Sequence, residues 1–315
     1  MALILSVIAL ADTPSPSPSP SATELLRDQI IQLTTSLQSG GNAIDWVLVY
    51  ILIGGVVAII WFANRGLARR DHPRAVAIYR RFDPQMQALR TWLSNSPATV
   101  IYVACWTATT VVVMGSPPLL VNILTRTNST NIAGIVSEPI RSLAVSALLV
   151  ADNGAGYLFY LAAYMLLVMR LEHRLGAPRT IIVWLVSHCG GSLLIVWLEI
   201  QLINAGVAPE RLAVTADVGV SYVMVGSMGA YIWLVSKKWR PWYLAALAIG
   251  ILGPLVFSQK LWDLGHFLAT VLGLITGYLV LKVGASRPGL KWRDLACASP
   301  RPLHPSGPKL VAPSR

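Results

Sequence analysis

Charged residues are scarce in this chain. They make up 12% of its 315 residues, whereas 55% of the residues are apolar. Soluble globular domains carry about a quarter charged residues. The composition therefore excludes an ordinary soluble domain and predicts a polytopic membrane protein.

Acidic residues are scarcer than basic ones. The chain has 14 Asp and Glu and 25 Lys and Arg, which gives a net charge of +11. Nucleic-acid binding would require the basic residues to gather on one face. Here they form short clusters between apolar spans, as in the loops of membrane proteins. We therefore expect the lipid bilayer, and no nucleic acid, as a partner.

Cysteine is also rare. Cys105, Cys189 and Cys297 are dispersed along the chain, so they predict neither a disulfide framework nor a metal site. The chain also has no phosphate-binding loop motif and no zinc-binding HExxH motif. We expect no metal and no cofactor.

The apolar residues gather in segments long enough to cross a bilayer as helices. The first is 46–64, and the basic segment 65–96 that follows holds seven arginines, which favour anionic lipid headgroups. Six further spans fall within 97–285, which predicts an all-α polytopic membrane protein. They lie approximately at 98–115, 155–169, 180–203, 218–236, 242–257 and 264–283.

The two ends of the chain are predicted to lie outside the membrane domain. Residues 1–11 end in the small-x-small pattern of signal-peptidase sites but lack a basic start, so a cleaved signal peptide and an uncleaved terminus both stay open. Residues 12–45 hold a Pro-Ser repeat and an amphipathic stripe, which predict an external linker and a helix. Residues 286–315 are basic and Pro-rich, which predicts a disordered cytoplasmic tail.

The distribution of basic residues predicts the orientation of the chain. If the first span runs from outside to inside, 20 of the 25 Lys and Arg residues fall in cytoplasmic segments and five in external ones. Loops on the cytoplasmic side carry the excess of Lys and Arg. We therefore expect an external N-terminus and a cytoplasmic C-terminus in the cell membrane.

Two stretches carry candidate chemistry. Gly219-Val220-Ser221 stands near the start of an apolar helix, and His266 opens another in which small residues recur every fourth position at 269, 273 and 277. That spacing lets two membrane helices approach closely. A serine hydroxyl needs a base within hydrogen-bond reach to become a nucleophile. We therefore expect Ser221 and His266 to meet as nucleophile and base.

These stretches resemble the rhomboid superfamily of intramembrane serine proteases. The serine of that family lies in a Gly-x-Ser motif on the fourth core helix, and its histidine opens the sixth. The segment LEHRLG at 171–176 resembles the signature that follows the second core helix. The resemblance covers roughly 97–285 and implies a six-helix core, here with one extra N-terminal transmembrane helix.

Two features depart from the family pattern. Tyr222 stands where rhomboids usually have a glycine after the serine. The family also has a His-x-x-x-Asn on the second core helix that helps to bind the oxyanion, and counting back from Glu172 places it at Gly156 and Tyr160. Asn153, Tyr160 or His188 could replace these two side-chain donors, and the backbone N–H of Ser221 is available as well.

Three ionisable residues have two interpretations each. Asp217 and Asp263 precede Ser221 and His266 by four and three residues, so each could orient the imidazole or cap the N-terminus of its helix. His188 lies within a span, where it could serve the site or form a hydrogen bond to a neighbouring helix.

Two functions therefore stay open. One is an intramembrane serine protease that cleaves transmembrane substrates with Ser221 and His266. The other is a catalytically inactive rhomboid that binds transmembrane partners. The Ser/His pair favours the first, and the missing His-x-x-x-Asn and Tyr222 favour the second.

Overall fold

A computed structural model describes residues 48–150, 156–257 and 260–288. Every regular element within these ranges is a helix. The predicted signal peptide, the Pro/Ser linker, Asn153 and the tail beyond residue 288 lie outside the described residues. The prediction of an all-α membrane protein is confirmed, because four helices are long and apolar enough to cross a membrane, or five if residues 73–113 count as one broken span.

The described residues divide into two compact units, 48–95 and 96–288. In the first unit, α1 spans Leu48–Ala68 and α2 spans Pro73–Ser94. The 21 residues of α1 correspond to a length of about 31 Å, enough for the hydrocarbon core of a bilayer. Trp61 on α1 stacks on Tyr79 of α2 with ring centroids 5.4 Å apart, and this contact holds the two helices together.

The second unit contains nine further α-helices and a short 3₁₀ helix at Glu210–Val214. Two of them, α7 (157–175) and α8 (Ala177–Asn204), each contain a five-residue π-helical segment, at Tyr164–Val168 and Val186–Gly190. The others are α3 (Pro97–Met114), α4 (Pro118–Thr127), α5 (Ile132–Ser137), α6 (Pro139–Ser146), α9 (Val220–Tyr231), α10 (Arg240–Phe257) and α11 (Leu261–Val283).

Helix α9 lies at the centre of the second unit, and most of its side chains are buried. It packs directly on α11, because glycines replace side chains where the two backbones cross. A Cβ at Gly273 of α11 would lie 2.6 Å from the Cα of Gly226, and one at Gly277 would lie 2.7 Å from the Cα of Ala230. The small residues that predicted close approach therefore form this interface.

Glu172 anchors the start of α3. Its buried carboxylate accepts hydrogen bonds from the backbone N–H of Ala98 (2.9 Å) and Thr99 (2.7 Å) and from the Thr99 hydroxyl (2.6 Å). These N–H groups open a helix and have no acceptor within it. Gly176, with a φ of 84°, then turns the chain from α7 directly into α8, a conformation that favours glycine. The 171–176 signature is thus a structural anchor.

Candidate active site

The structure brings Ser221 and His266 together. Ser221 is the second residue of α9, and His266 lies in the second turn of α11. The Ser221 Oγ is 2.8 Å from the His266 Nε2, and both side chains are partly buried. A neutral imidazole at this distance can accept the hydroxyl proton. The close crossing of α9 and α11 therefore carries the two groups to hydrogen-bond distance.

Tyr222 packs against the His266 ring. The ring centroids are 5.4 Å apart with an interplanar angle of 54°, and Tyr222 is fully buried. Gly265 leaves room for this contact, because a Cβ there would overlap the Tyr222 hydroxyl. Tyr222, which stands in place of the family's glycine, therefore restricts the movement of the His266 ring. In the sequence alone, Tyr222 stands out only as a departure from the family pattern.

Asp217 links Tyr222 to the loop between α4 and α5. Its Oδ2 accepts hydrogen bonds from the Tyr222 hydroxyl (2.9 Å) and the Thr130 hydroxyl (3.1 Å). Its backbone is held as well, since the Thr130 N–H donates to the Asp217 carbonyl (2.9 Å) and the Asp217 N–H donates to the Ser129 Oγ (2.6 Å). Burial raises the pKa of the Asp217 carboxyl to about 6. Asp217 can therefore act on His266 through Tyr222.

Neither aspartate is the N-cap residue of its helix, so that part of the prediction is wrong. Gly219 is the residue that precedes the first turn of α9, and Lys260 is the one that precedes α11. Asp217 lies two residues further back because the Ser129-Thr130 loop holds its backbone. Asp263 lies within the first turn of α11, where it is buried and close to the positive end of the helix dipole.

His188 contacts the serine turn at Gly219. Its ring packs so closely on this glycine that a Cβ there would overlap the imidazole. Its Nε2 lies 2.8 Å from the Leu143 carbonyl and 3.4 Å from the Ser146 Oγ, both on α6. The Ser146 carbonyl in turn accepts from the Gly219 N–H at 2.8 Å. His188 thus bonds to a neighbouring helix and also contacts the Gly-x-Ser motif.

Two of the described residues, Gly156 and Tyr160, fall at the positions counted for the family's oxyanion donors. Gly156 is the residue before α7 and has no side chain, and Tyr160 lies in that helix, partly buried against the apolar core. The backbone N–H of Ser221 lies in the first turn of α9, where helical N–H groups have no acceptor within the helix. It is therefore a donor beside the serine hydroxyl.

The comparison with protein families gives one result. A family model described as "Rhomboid-like protein" matches residues 91–286. No curated protein and no solved structure matches the chain significantly. The match spans well over half of the chain and includes the Ser221 and His266 helices and the 171–176 signature. The chain therefore belongs to the rhomboid-like protein family.

Proposed function

We propose that this rhomboid-like membrane protein is an intramembrane serine protease with Ser221 as nucleophile and His266 as base. The observation that carries the proposal is the 2.8 Å distance between the Ser221 Oγ and the His266 Nε2. The two residues lie 45 positions apart on different helices, so the contact does not follow from local geometry. A serine and a histidine at this distance are the minimum that acyl transfer requires.

The chemistry follows from this pair. As the Ser221 Oγ attacks the carbonyl carbon of a peptide bond, its proton passes to the His266 Nε2. The resulting imidazolium gives that proton to the leaving amine, and the C–N bond breaks to leave an acyl ester on Ser221. A water then attacks the ester, His266 accepts its proton and returns it to the Ser221 Oγ, and the acid is released.

The proposed substrates are transmembrane proteins. Helix α9, with its short 3₁₀ extension, covers residues Val220–Leu234, about 22 Å, which is less than the ~30 Å hydrocarbon core. With an external N-terminus and a cytoplasmic C-terminus, Ser221 would lie at the outer end of α9, below the membrane surface. Cleavage would then fall near the outer end of a substrate helix that enters from the bilayer.

The second candidate function is a catalytically inactive rhomboid that binds transmembrane partners. One sequence feature favours it: counting back from Glu172 places the family's His-x-x-x-Asn donors at Gly156 and Tyr160. Loss of one oxyanion donor lowers a rate by about 10²–10³-fold. A protein without both donors would keep the fold and the lateral surface that can bind partner helices. Its cleavage rate would be very low.

Covalent labelling with a fluorophosphonate probe distinguishes the two functions. Such a probe reacts with an activated serine, so the detergent-solubilised wild type should be labelled, and Ser221→Ala and His266→Ala should not. Thermal unfolding of each variant checks that it is folded. A folded wild type without labelling, or labelling that survives both substitutions, would overturn the protease and leave partner binding as the function.

A further inference from the structure

Tyr164 contacts the peptide that carries the proposed nucleophile. Its side chain is fully buried, and its hydroxyl donates a hydrogen bond of 2.7 Å to the carbonyl of Val220, the residue before Ser221. It lies on α7, whereas the serine turn opens α9. The hydroxyl therefore links a second helix to the serine peptide, independently of His266.

The geometry of a peptide unit carries the effect of this bond to the Ser221 N–H. The Val220 carbonyl and the Ser221 N–H belong to the same planar, trans unit, so they point in opposite directions. A donor that fixes the carbonyl also fixes the direction of the N–H. A hydrogen bond to the carbonyl further polarises the unit, which makes the N–H a stronger donor.

The structure holds the Tyr164 ring firmly. It packs against the rings of Tyr102 and Trp106 on α3, with centroids 5.6 and 5.8 Å away. It is also the first residue of the π-helical segment Tyr164–Val168. Such segments are rare inside α-helices and, where they occur, are frequent at functional sites. The hydroxyl is therefore held at the Val220 carbonyl.

We propose that Tyr164 is a positioning residue, which holds the Val220–Ser221 peptide so that the Ser221 N–H points at the developing oxyanion. This inference rests on the proposed protease function. It also accounts for a need that is particular to this chain. Counting back from Glu172 places the family's histidine and asparagine at Gly156 and Tyr160, so we expect the backbone N–H of Ser221 to carry a larger share of the oxyanion's charge.

The test compares Tyr164→Phe with a matched control, Tyr157→Phe. Both tyrosines lie on α7 and are buried in the same apolar cluster, and each substitution removes one buried hydroxyl group. The Tyr157 hydroxyl bonds to the Thr107 Oγ1 at 3.1 Å, away from the serine turn. Fluorophosphonate labelling is followed in time between about pH 5.5 and 9, which gives a final amplitude, a rate constant and a pH midpoint.

A positioning role and a merely structural role predict different results. Loss of folded protein lowers the amplitude, whereas a misdirected N–H lowers the rate constant of molecules that are folded. We expect Tyr164→Phe to label to full amplitude, about tenfold more slowly, which is less than the 10²–10³-fold loss of a whole donor because Tyr164 acts through that donor. The pH midpoint should not move, since His266 is unchanged. Tyr157→Phe should resemble wild type.

Each contrary result has its own meaning. If Tyr164→Phe labels within twofold of the Tyr157→Phe rate, or loses amplitude and not rate, the positioning role is wrong while the protease proposal stands. A shifted pH midpoint would assign Tyr164 to the base and not to the oxyanion, and would also overturn the inference. An unreactive, folded wild type would overturn both proposals.

Discussion

Gly219 and His188 are packed so closely that each restricts the other. The φ of Gly219 is −102°, which any residue can adopt, so backbone freedom is not the reason for a glycine here. The reason is the His188 ring, which a Cβ would overlap. The ring cannot turn away without losing the hydrogen bond between its Nε2 and the Leu143 carbonyl (2.8 Å). The glycine of the Gly-x-Ser motif is therefore required by its neighbour.

The contact predicts a strong coupling between the two residues. Gly219→Ala should lower the free energy of unfolding by about 1–3 kcal/mol, the usual cost of forcing an extra methyl into a packed site. In a His188→Ala background the space is empty, so the same substitution should cost much less. Thermal unfolding of wild type, both single variants and the double variant measures this coupling.

A control for the glycine substitution itself is Gly250→Ala on α10, where a Cβ would meet nothing within 4 Å. It should leave the unfolding temperature close to that of wild type. Additive costs for Gly219→Ala and His188→Ala would contradict the predicted coupling. Additive costs would mean that the added methyl group is accommodated by a shift of the turn's backbone and not by a movement of His188.

The sequence predicted only part of the site. Ser221 and His266 could be found because each stands in a short motif at the start of an apolar helix. The roles of Tyr222, Thr130 and Tyr164 could not be predicted, since they depend on contacts between segments that lie far apart in sequence. The π segment at Tyr164–Val168 adds a further obstacle, because it shifts the helical phase by about one residue and counting back along α7 assumes a regular helix.

At the scale of elements, the crossing of α9 and α11 sets the distance between the Ser221 and His266 side chains. The backbones touch at Gly273, two turns beyond His266, and at Gly226, about one and a half turns beyond Ser221, so the two helices have no room to move closer. Helix α10 contacts α9 through a side chain, since the Tyr243 hydroxyl donates to the Met228 carbonyl at 2.8 Å, and none of the residues of α10 is fully buried. The proposed site therefore depends on the α9–α11 pair and not on α10.

This difference predicts opposite results for two equal substitutions. Gly273→Ala should separate α9 from α11, because a Cβ there would lie 2.6 Å from the Gly226 Cα. Misplacing reacting groups by about 1 Å can cost 10²-fold in rate, so fluorophosphonate labelling should fall by about that factor. Gly253→Ala on α10, where nothing lies within 4 Å of the added Cβ, should label like wild type. Equal rates in both variants would refute the dependence on the crossing.

Hydropathy located the long helices but missed some of their ends and the short helices. The predicted span 155–169 stops before Arg170, whereas α7 continues to Leu175 with Glu172 buried at the start of α3. Hydropathy falls at charged residues, but a helix can continue through them. Hydropathy predicts no helix between the spans 98–115 and 155–169, yet this part of the chain contains α4, α5 and α6, which have 10, 6 and 8 residues. Such short helices rely on tertiary contacts, which no local pattern reports.

At the scale of the whole molecule, the proposed orientation decides which side of the membrane receives the reaction. It rests on the 20 Lys and Arg residues that fall in segments assigned to the cytoplasm, against five on the other side. The loop before α9 holds Val207, and the turn after it holds Lys237, and both side chains are exposed. Because α9 separates them, the two positions should lie on opposite sides of the membrane.

Cysteine accessibility tests this orientation. In a variant whose three native cysteines are replaced by serine, we expect Val207→Cys to react with a membrane-impermeant maleimide in intact cells. Lys237→Cys should react only after the membrane is permeabilised, because its loop follows a span that ends in the cytoplasm. The reverse pattern would place Ser221 at the cytoplasmic end of α9, and cleavage would then have to occur near the inner ends of substrate helices. Fluorophosphonate labelling of the solubilised protein would not change in that case, so the chemistry and the sidedness of the proposed protease are tested separately.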